Sequence, residues 1–219
     1  DQLADLQCKE VILIGGEAYL RDDFWDVVRR IRAREMQPLI TSGGRGFDRE
    51  RAKQAKDAGI ASVSISIDGN EASHDRLRGL NGSYRAAIQA LENLRAEGVR
   101  VSANTQINRL SMPDLPELLD TIITLGVHSW QIQITVPMGR AADEPDVLLQ
   151  PYDLLTLFPM LDALQDRCRQ HRVMLWPGNN IGYFGPFETK LRGTMPRGHM
   201  ASCGAGRSGL GIESDGTIK

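Results

Sequence analysis

Apolar residues along this chain alternate between two spacings. Residues 9–14 (KEVILI) form an apolar run stopped by Gly15-Gly16, the pattern of a buried strand. Over residues 22–34 the period changes: Phe24, Val27, Val28 and Ile31 recur at the spacing of one helical face. The switch then repeats. Residues 38–41 (PLIT) read as a short strand entering the loop Ser42-Gly43-Gly44. Asp48 is placed to cap a helix reaching Ala58, and Gly59 to end it in the left-handed conformation. Residues 62–67 (SVSISI) predict a strand, and 83–97 a helix closed by Gly98. Residues 99–107 (VRVSANTQI) predict a strand, and 113–125 a helix with proline in its first turn and Gly126 behind it. Then come a strand at 129–136 (SWQIQITV), a polar loop at 137–151, a long helix at 151–172 disturbed near Pro159, and a last strand at 173–176.

Crossovers of this length return each strand parallel to the one before, which predicts an α/β fold, either a (β/α) barrel or a doubly wound sheet. From Asn179 the repeat stops. The tail is rich in Gly, Pro and Arg, and its strand-like run at 210–213 precedes the turn Ser214-Asp215-Gly216. It reads as the start of a second module, dividing the chain into 1–178 and 179–219.

Composition narrows the class. Lys+Arg is 26 and Asp+Glu 28, a formal net charge of −2, so no overall positive field draws nucleic acid or an anionic membrane. Apolar runs such as Val11-Ile12-Leu13-Ile14 fall far short of the about 20 residues that a membrane span requires. Cys8, Cys168 and Cys203 form neither a disulfide framework nor a zinc motif. Cys8 and Cys168 read as small core residues, and Arg29-Arg30-Ile31-Arg32 as a solvated helix face. No signal peptide opens the chain, and the missing initiator Met suggests a piece of something longer. A cytoplasmic location is expected.

In parallel α/β folds chemistry sits at the carboxyl ends of the strands. Those positions are Gly15-Gly16-Glu17, Thr41–Gly44, Ser66–Gly69, Asn104–Asn108 and Gln133–Gly139. They are polar, with charge from Glu17, Asp68, Arg76 and Arg78, and offer no Lys, His or Cys at a strand end. That argues against a Schiff-base aldolase, a zinc hydrolase and a thiolate nucleophile. Taken singly, Gly-Gly-Glu is a turn with a solvated acid and Ser-Ile-Asp-Gly an ordinary strand end with an Asx turn.

Order and spacing carry more. Val11-Ile12-Leu13-Ile14-Gly15-Gly16-Glu17 resembles the second-strand motif Gly-Gly-Glu-Pro of radical S-adenosylmethionine (radical SAM) enzymes. Ser64 to Gly69, His74-Asp75-Arg76-Leu77-Arg78-Gly79 and Gly82-Ser83-Tyr84 look like the family's fourth strand and following helix. Asn104-Thr105 falls in its fifth strand and Gln131–Gly139 in its sixth. Cys203, followed by 12 residues and then Gly216, is similar to the opening of a SPASM or twitch extension. Two departures stand out. Ala18 replaces the proline, and the Cys-x3-Cys-x2-Cys motif that binds the catalytic [4Fe–4S] cluster is absent.

The resemblance implies a (β/α)6-type partial TIM barrel, here without its first strand, followed by the start of a SPASM/twitch module. It implies an oxidoreductase that uses S-adenosylmethionine and a [4Fe–4S] cluster, whose ligands would lie outside this chain, to generate a 5′-deoxyadenosyl radical. The substrate would be a peptide or protein side chain, and the electron donor a flavodoxin or ferredoxin. This piece alone would be inactive. By the same resemblance Gly15 and Gly16 present backbone groups and Glu17 accepts from the methionine ammonium. Ser66 bonds the ribose while Asp68 orders its loop, and Arg78 meets the methionine carboxylate. Asn104 contacts ribose or carboxylate, Gln133 and Ile134 pack on adenine, and Cys203 is one ligand of an auxiliary iron–sulfur cluster. The alternative is a non-catalytic barrel module that has lost its cluster.

Overall fold

The computed structural model describes residues 1–193, 204–206 and 208–219. Its elements in chain order are α1 (Gln2–Asp5), β1 (Glu10–Leu13), α2 (Phe24–Ala33), β2 (Gln37–Ser42), α3 (Arg49–Ala58), β3 (Ser62–Ser66), α4 (Glu71–Arg78) and α5 (Ser83–Ala96). There follow β4 (Val101–Ile107), α6 (Leu115–Thr124), β5 (Ser129–Ile134), α7 (Arg140–Asp143), α8 (Leu154–Gln170), β6 (Met174–Pro177) and α9 (Glu188–Arg192). The six strands form one open, wholly parallel sheet in chain order, β1 to β6. Chain order with right-handed crossovers gathers the crossover helices on one face, so the fold is the partial (β/α) barrel and not the doubly wound sheet.

The punctuation acts locally as its residue types require. Asp48 Oδ1 accepts from Arg51 N at 2.9 Å to start α3, and Gly59 ends it at φ +86°. Toward the helices the strands present Val63 and Ile65, Val101, Ala103 and Ile107, and Trp130 and Ile132, all buried against Leu91, Leu94, Leu119 and Ile122. Cys168 lies in this core, and burial pushes its thiol up to about 12.

Four expectations need correction. Residues 9–14 are not a buried strand: Ile12 and Ile14 are 57% and 68% exposed, because β1 is an edge strand and one sheet face is uncovered. Cys8 is half-buried instead of a core residue, its Sγ donating to the Glu10 carbonyl. The long helix is not interrupted at Pro159. It begins with a 3-10 turn at Pro151–Asp153 and α8 then runs through the proline. The carbonyl that Pro159 leaves unbonded belongs to Leu155, an exposed residue that water can serve. The loop at 137–151 contains α7 and the turn Pro145–Val147, with Val147 buried. The stretch Pro145–Gln170 is long and apolar enough to cross a membrane by length and composition, but Leu157, Leu161 and Leu164 pack into the sheet's core.

After β6, Ile181, Phe184 and Leu191 join the same core, and Phe184 stacks edge-on against Phe158 of α8. Residues 211–219 form a hairpin closed by the antiparallel bridge of Ile212 with Ile218, with Gly216 at φ +88°.

Candidate functional site

The uncovered face is the inside of the barrel, and its residues lie in rows set by the strand register. One row is Thr41, Ser64, Ser102, Ser129 and Met174; the next, nearer the carboxyl ends, is Ser66, Asn104, Gln131 and Trp176. A closed barrel fills such layers with bulky branched side chains. Here small hydroxyls leave a groove of about 230 Å³, lined also by Ile12 and Leu39.

At the carboxyl end of β1, Gly15 and Gly16 have φ +102° and +49° and open space where a Cβ would stand. Their backbone is free for close approach by a ligand. Glu17 then leans across the end of β2. Its Oε2 accepts from Ser42 Oγ at 2.5 Å and its Oε1 lies 3.4 Å from Arg45 N. Ser42 Oγ accepts from Gly44 N at 2.7 Å, and Tyr19 donates its hydroxyl proton to the Arg45 carbonyl at 2.7 Å. Burial raises the Tyr19 hydroxyl well above the ordinary tyrosine value, so it remains a donor.

At the end of β3, Asp68 is buried and doubly engaged. Its Oδ1 accepts from Gln106 N at 2.7 Å and its Oδ2 pairs with Arg78 Nη2 at 2.6 Å. Asp68 N donates to Nδ1 of buried His74 at 2.9 Å. Burial lowers the His74 pKa, which suits a neutral ring with Nδ1 as acceptor. Neighbouring Asp75 binds Gly82 N, Ser83 Oγ and Tyr84 N, fixing the start of α5, and these bonds hold its carboxyl below the usual range against the opposing cost of burial. His74 and Asp75 thus tie α4 at both ends and set where Arg78 falls.

Among the described residues, Arg78 Nε, a donor, and Asn104 Oδ1, an acceptor, are buried in this region without a hydrogen-bond partner. Unpaired buried groups cost stability unless something else meets them. With the Glu17 carboxylate they make a set of two acceptors and one donor, which suits an ammonium, a hydroxyl and a carboxylate on one ligand.

The structure places Gly15, Gly16, Glu17, Ser66, Asp68, Asn104, Gln133 and Ile134 at the same carboxyl edge of the sheet, with Arg78 drawn to it by Asp68. Ser66 and Asn104 are direct register neighbours, and Gln133 pairs with Gln106. The backbone of Ile134 is already engaged: its N–H and C=O both bond the Asn180 carboxamide, at 3.3 and 2.6 Å. Cys203 lies outside the described residues. The sequence alone did not single out Ser42, Tyr19 and His74 as partners of Glu17 and Asp68, nor the hydroxyl row. The alternation in SVSIS and SWQIQI carried the signal for the row, since strands covered on both faces read as near-continuous apolar runs.

A radical SAM barrel is the class that this open parallel sheet and its Gly-Gly-Glu strand end define. Residues 1–125 match the model of the Radical SAM superfamily, and the chain belongs to that superfamily. It is 28% identical over 216 residues to pre-heme d1 synthase of Dinoroseobacter shibae, covering 92% of this chain and 52% of that protein. It is 25% identical over 158 residues to the PqqA peptide cyclase of Granulibacter bethesdensis, covering 72% of this chain and 42% of that protein. The chain therefore spans about half, or less, of the length of these relatives. Streptococcus suis SuiB bound to S-adenosylmethionine superposes with a TM-score of 0.63 at 14% identity, over 77% of this chain and 39% of SuiB.

Proposed function

We propose that this chain forms the S-adenosylmethionine-binding barrel of a radical enzyme that modifies a peptide or protein side chain. The observation that carries the reading is the placement of an anchored carboxylate, an unpaired guanidinium nitrogen and an unpaired carboxamide oxygen along the carboxyl edge of one sheet. Glu17 accepts from the methionine ammonium, and Arg78, aimed by Asp68, offers Nε to the carboxylate. Ser66 and Asn104 take the ribose hydroxyls, and Gly15-Gly16 let the ligand reach the backbone. With a reduced iron–sulfur cluster, S-adenosylmethionine supplies hydrogen-atom abstraction; the barrel's residues orient it and keep water away. The cluster's ligands, on this reading, lie outside residues 1–219, and Cys203 is one ligand of an auxiliary cluster.

The peptide-cyclase likeness supports a peptide substrate. A second reading, a tetrapyrrole substrate, is favoured by the pre-heme d1 synthase likeness over 92% of the chain. Titration calorimetry on a protein that carries this barrel together with the cluster and its ligands tests the core of both. Wild type should bind S-adenosylmethionine and Glu17→Gln should bind it at least about tenfold more weakly, a loss of about 1.4 kcal/mol. Equal affinity in the two proteins removes Glu17 from the site. Formation of 5′-deoxyadenosine dependent on an added peptide or an added porphyrin then separates the two substrate readings.

A further inference from the structure

We propose that Ser42 is the positioning residue for Glu17, fixing which carboxylate oxygen is left to accept from the ligand. The inference rests on the reading of Glu17 above and adds to it a residue that the strand-end motif does not contain.

Glu17 needs an outside anchor. It follows Gly15 and Gly16, two positive-φ positions with nothing near their α-carbons' open side, so its own backbone gives it little fixed direction. Ser42 supplies the anchor from the next strand and is itself immobile, 4% exposed at the end of β2. A serine hydroxyl normally rotates to suit its surroundings. This one has three neighbours: Gly44 N–H donates to it at 2.7 Å, Tyr19 Oη lies at 3.2 Å with its own proton on the Arg45 carbonyl, and the single serine proton goes to the nearer acceptor, Glu17 Oε2, at 2.5 Å. Gly44 in turn is closely packed against α5. It has φ +83°, and a Cβ there would stand 2.9 Å from Ala90 Cβ and 3.1 Å from Ala87 Cα of α5. The direction of the Ser42 proton is thus set by packing two layers away from the ligand.

The other oxygen is treated differently. Oε1 has a long contact to Arg45 N, 3.4 Å, and faces Gly43, where a Cβ would come within 3.1 Å of it. Gly43 keeps that side clear. One oxygen is held and the other is offered, so an ammonium meets a carboxylate whose rotation has already been lost.

The test is a double-mutant cycle on the protein that carries this barrel together with the cluster and its ligands, read as S-adenosylmethionine affinity by calorimetry, with 5′-methylthioadenosine as a probe that lacks the amino-acid end. Ser42→Ala is expected to weaken S-adenosylmethionine about tenfold, to leave 5′-methylthioadenosine unchanged, and to add nothing once Glu17→Gln is present. Ser42→Cys, with a weak donor of similar shape, should fall between wild type and Ser42→Ala, and it serves if the alanine variant fails to fold. If Glu17→Gln weakens binding but Ser42→Ala and Ser42→Cys do not, Ser42 is not the positioning residue and the role of Glu17 stands. Additive effects, or equal loss of both ligands, likewise overturn the proposal, because Ser42 would then act on the loop as a whole. If Glu17→Gln itself changes nothing, the reading of Glu17 fails first.

Discussion

The two faces of the sheet differ more from each other than any two segments of the chain do. Toward the helices β3, β4 and β5 present Val63, Ile65, Val101, Ala103, Ile107, Trp130 and Ile132, all essentially inaccessible to water. Toward the barrel interior the same strands present Ser62, Ser64, Ser66, Ser102, Asn104, Gln106, Ser129, Gln131 and Gln133, none of them fully buried. Adjacent residues therefore serve different ends. One set holds the sheet to its helices, and the other keeps open a hydrogen-bonding surface that a packed barrel would have filled. Stability and chemistry are separated by a single step along the strand.

Substitutions on each face break or sharpen that contrast. The largest effect belongs to the covered face. Trp130→Ala removes a fully buried ring and its indole bond to Thr105 Oγ1, 2.9 Å long, and should cost about 3–5 kcal/mol in denaturant unfolding. A loss below about 1 kcal/mol would mean that this face is not the main core.

His74 belongs to α4 and to neither face of the sheet. Its folded-state pKa is depressed by burial, so the unfolded chain binds more protons as pH falls below the ordinary histidine value of about 6.5. Stability is fully present above that pH and falls below it, by at most about 1.4 kcal/mol per pH unit for one group. His74→Gln should flatten the dependence between about pH 6.5 and 5. His128, also lowered by burial, retains part of it. An unchanged slope in the variant would show that the fold does not depress the His74 pKa.

The smallest effects belong to the open face. Ser64→Ala and Ser102→Ala should each change stability by no more than about 0.5 kcal/mol, since neither hydroxyl sits in the helix-facing core. A drop of 2 kcal/mol or so in either would make the inner row part of the packing and erase the contrast.

What could be read from the sequence followed the same division. The covered face writes itself into apolar periodicity, so five of the crossover helices and all six strands lie close to where the pattern puts them. α4 (Glu71–Arg78) escaped because it has no apolar stripe: His74 is its buried residue, and its start depends on Asn70 accepting from Ser73 N. The site was legible as strand ends but not as a network. Glu17 and Ser42 are 25 residues apart and meet through loops, and no local spacing announces such a contact. The pairing of Asp68 with Arg78 likewise depends on the register of α4. For β1, the apolar composition was correct but its surroundings were not, because burial depends on neighbours that composition does not name.

The Asn180 side chain has a consequence for measurement. Backbone pairing of β5 with β6 stops at Ile132 and Pro177, yet the ladder continues one step beyond through a carboxamide that bonds both polar groups of Ile134. The Ile134 amide is therefore sheltered by the segment after β6 and not by a neighbouring strand. Its hydrogen–deuterium exchange keeps time for the lifting of residues 178–182 alone, while the amides of β4 and β5 behind it register opening of the whole sheet. One residue thus provides a clock for the rim of the barrel that runs independently of the clock for its core.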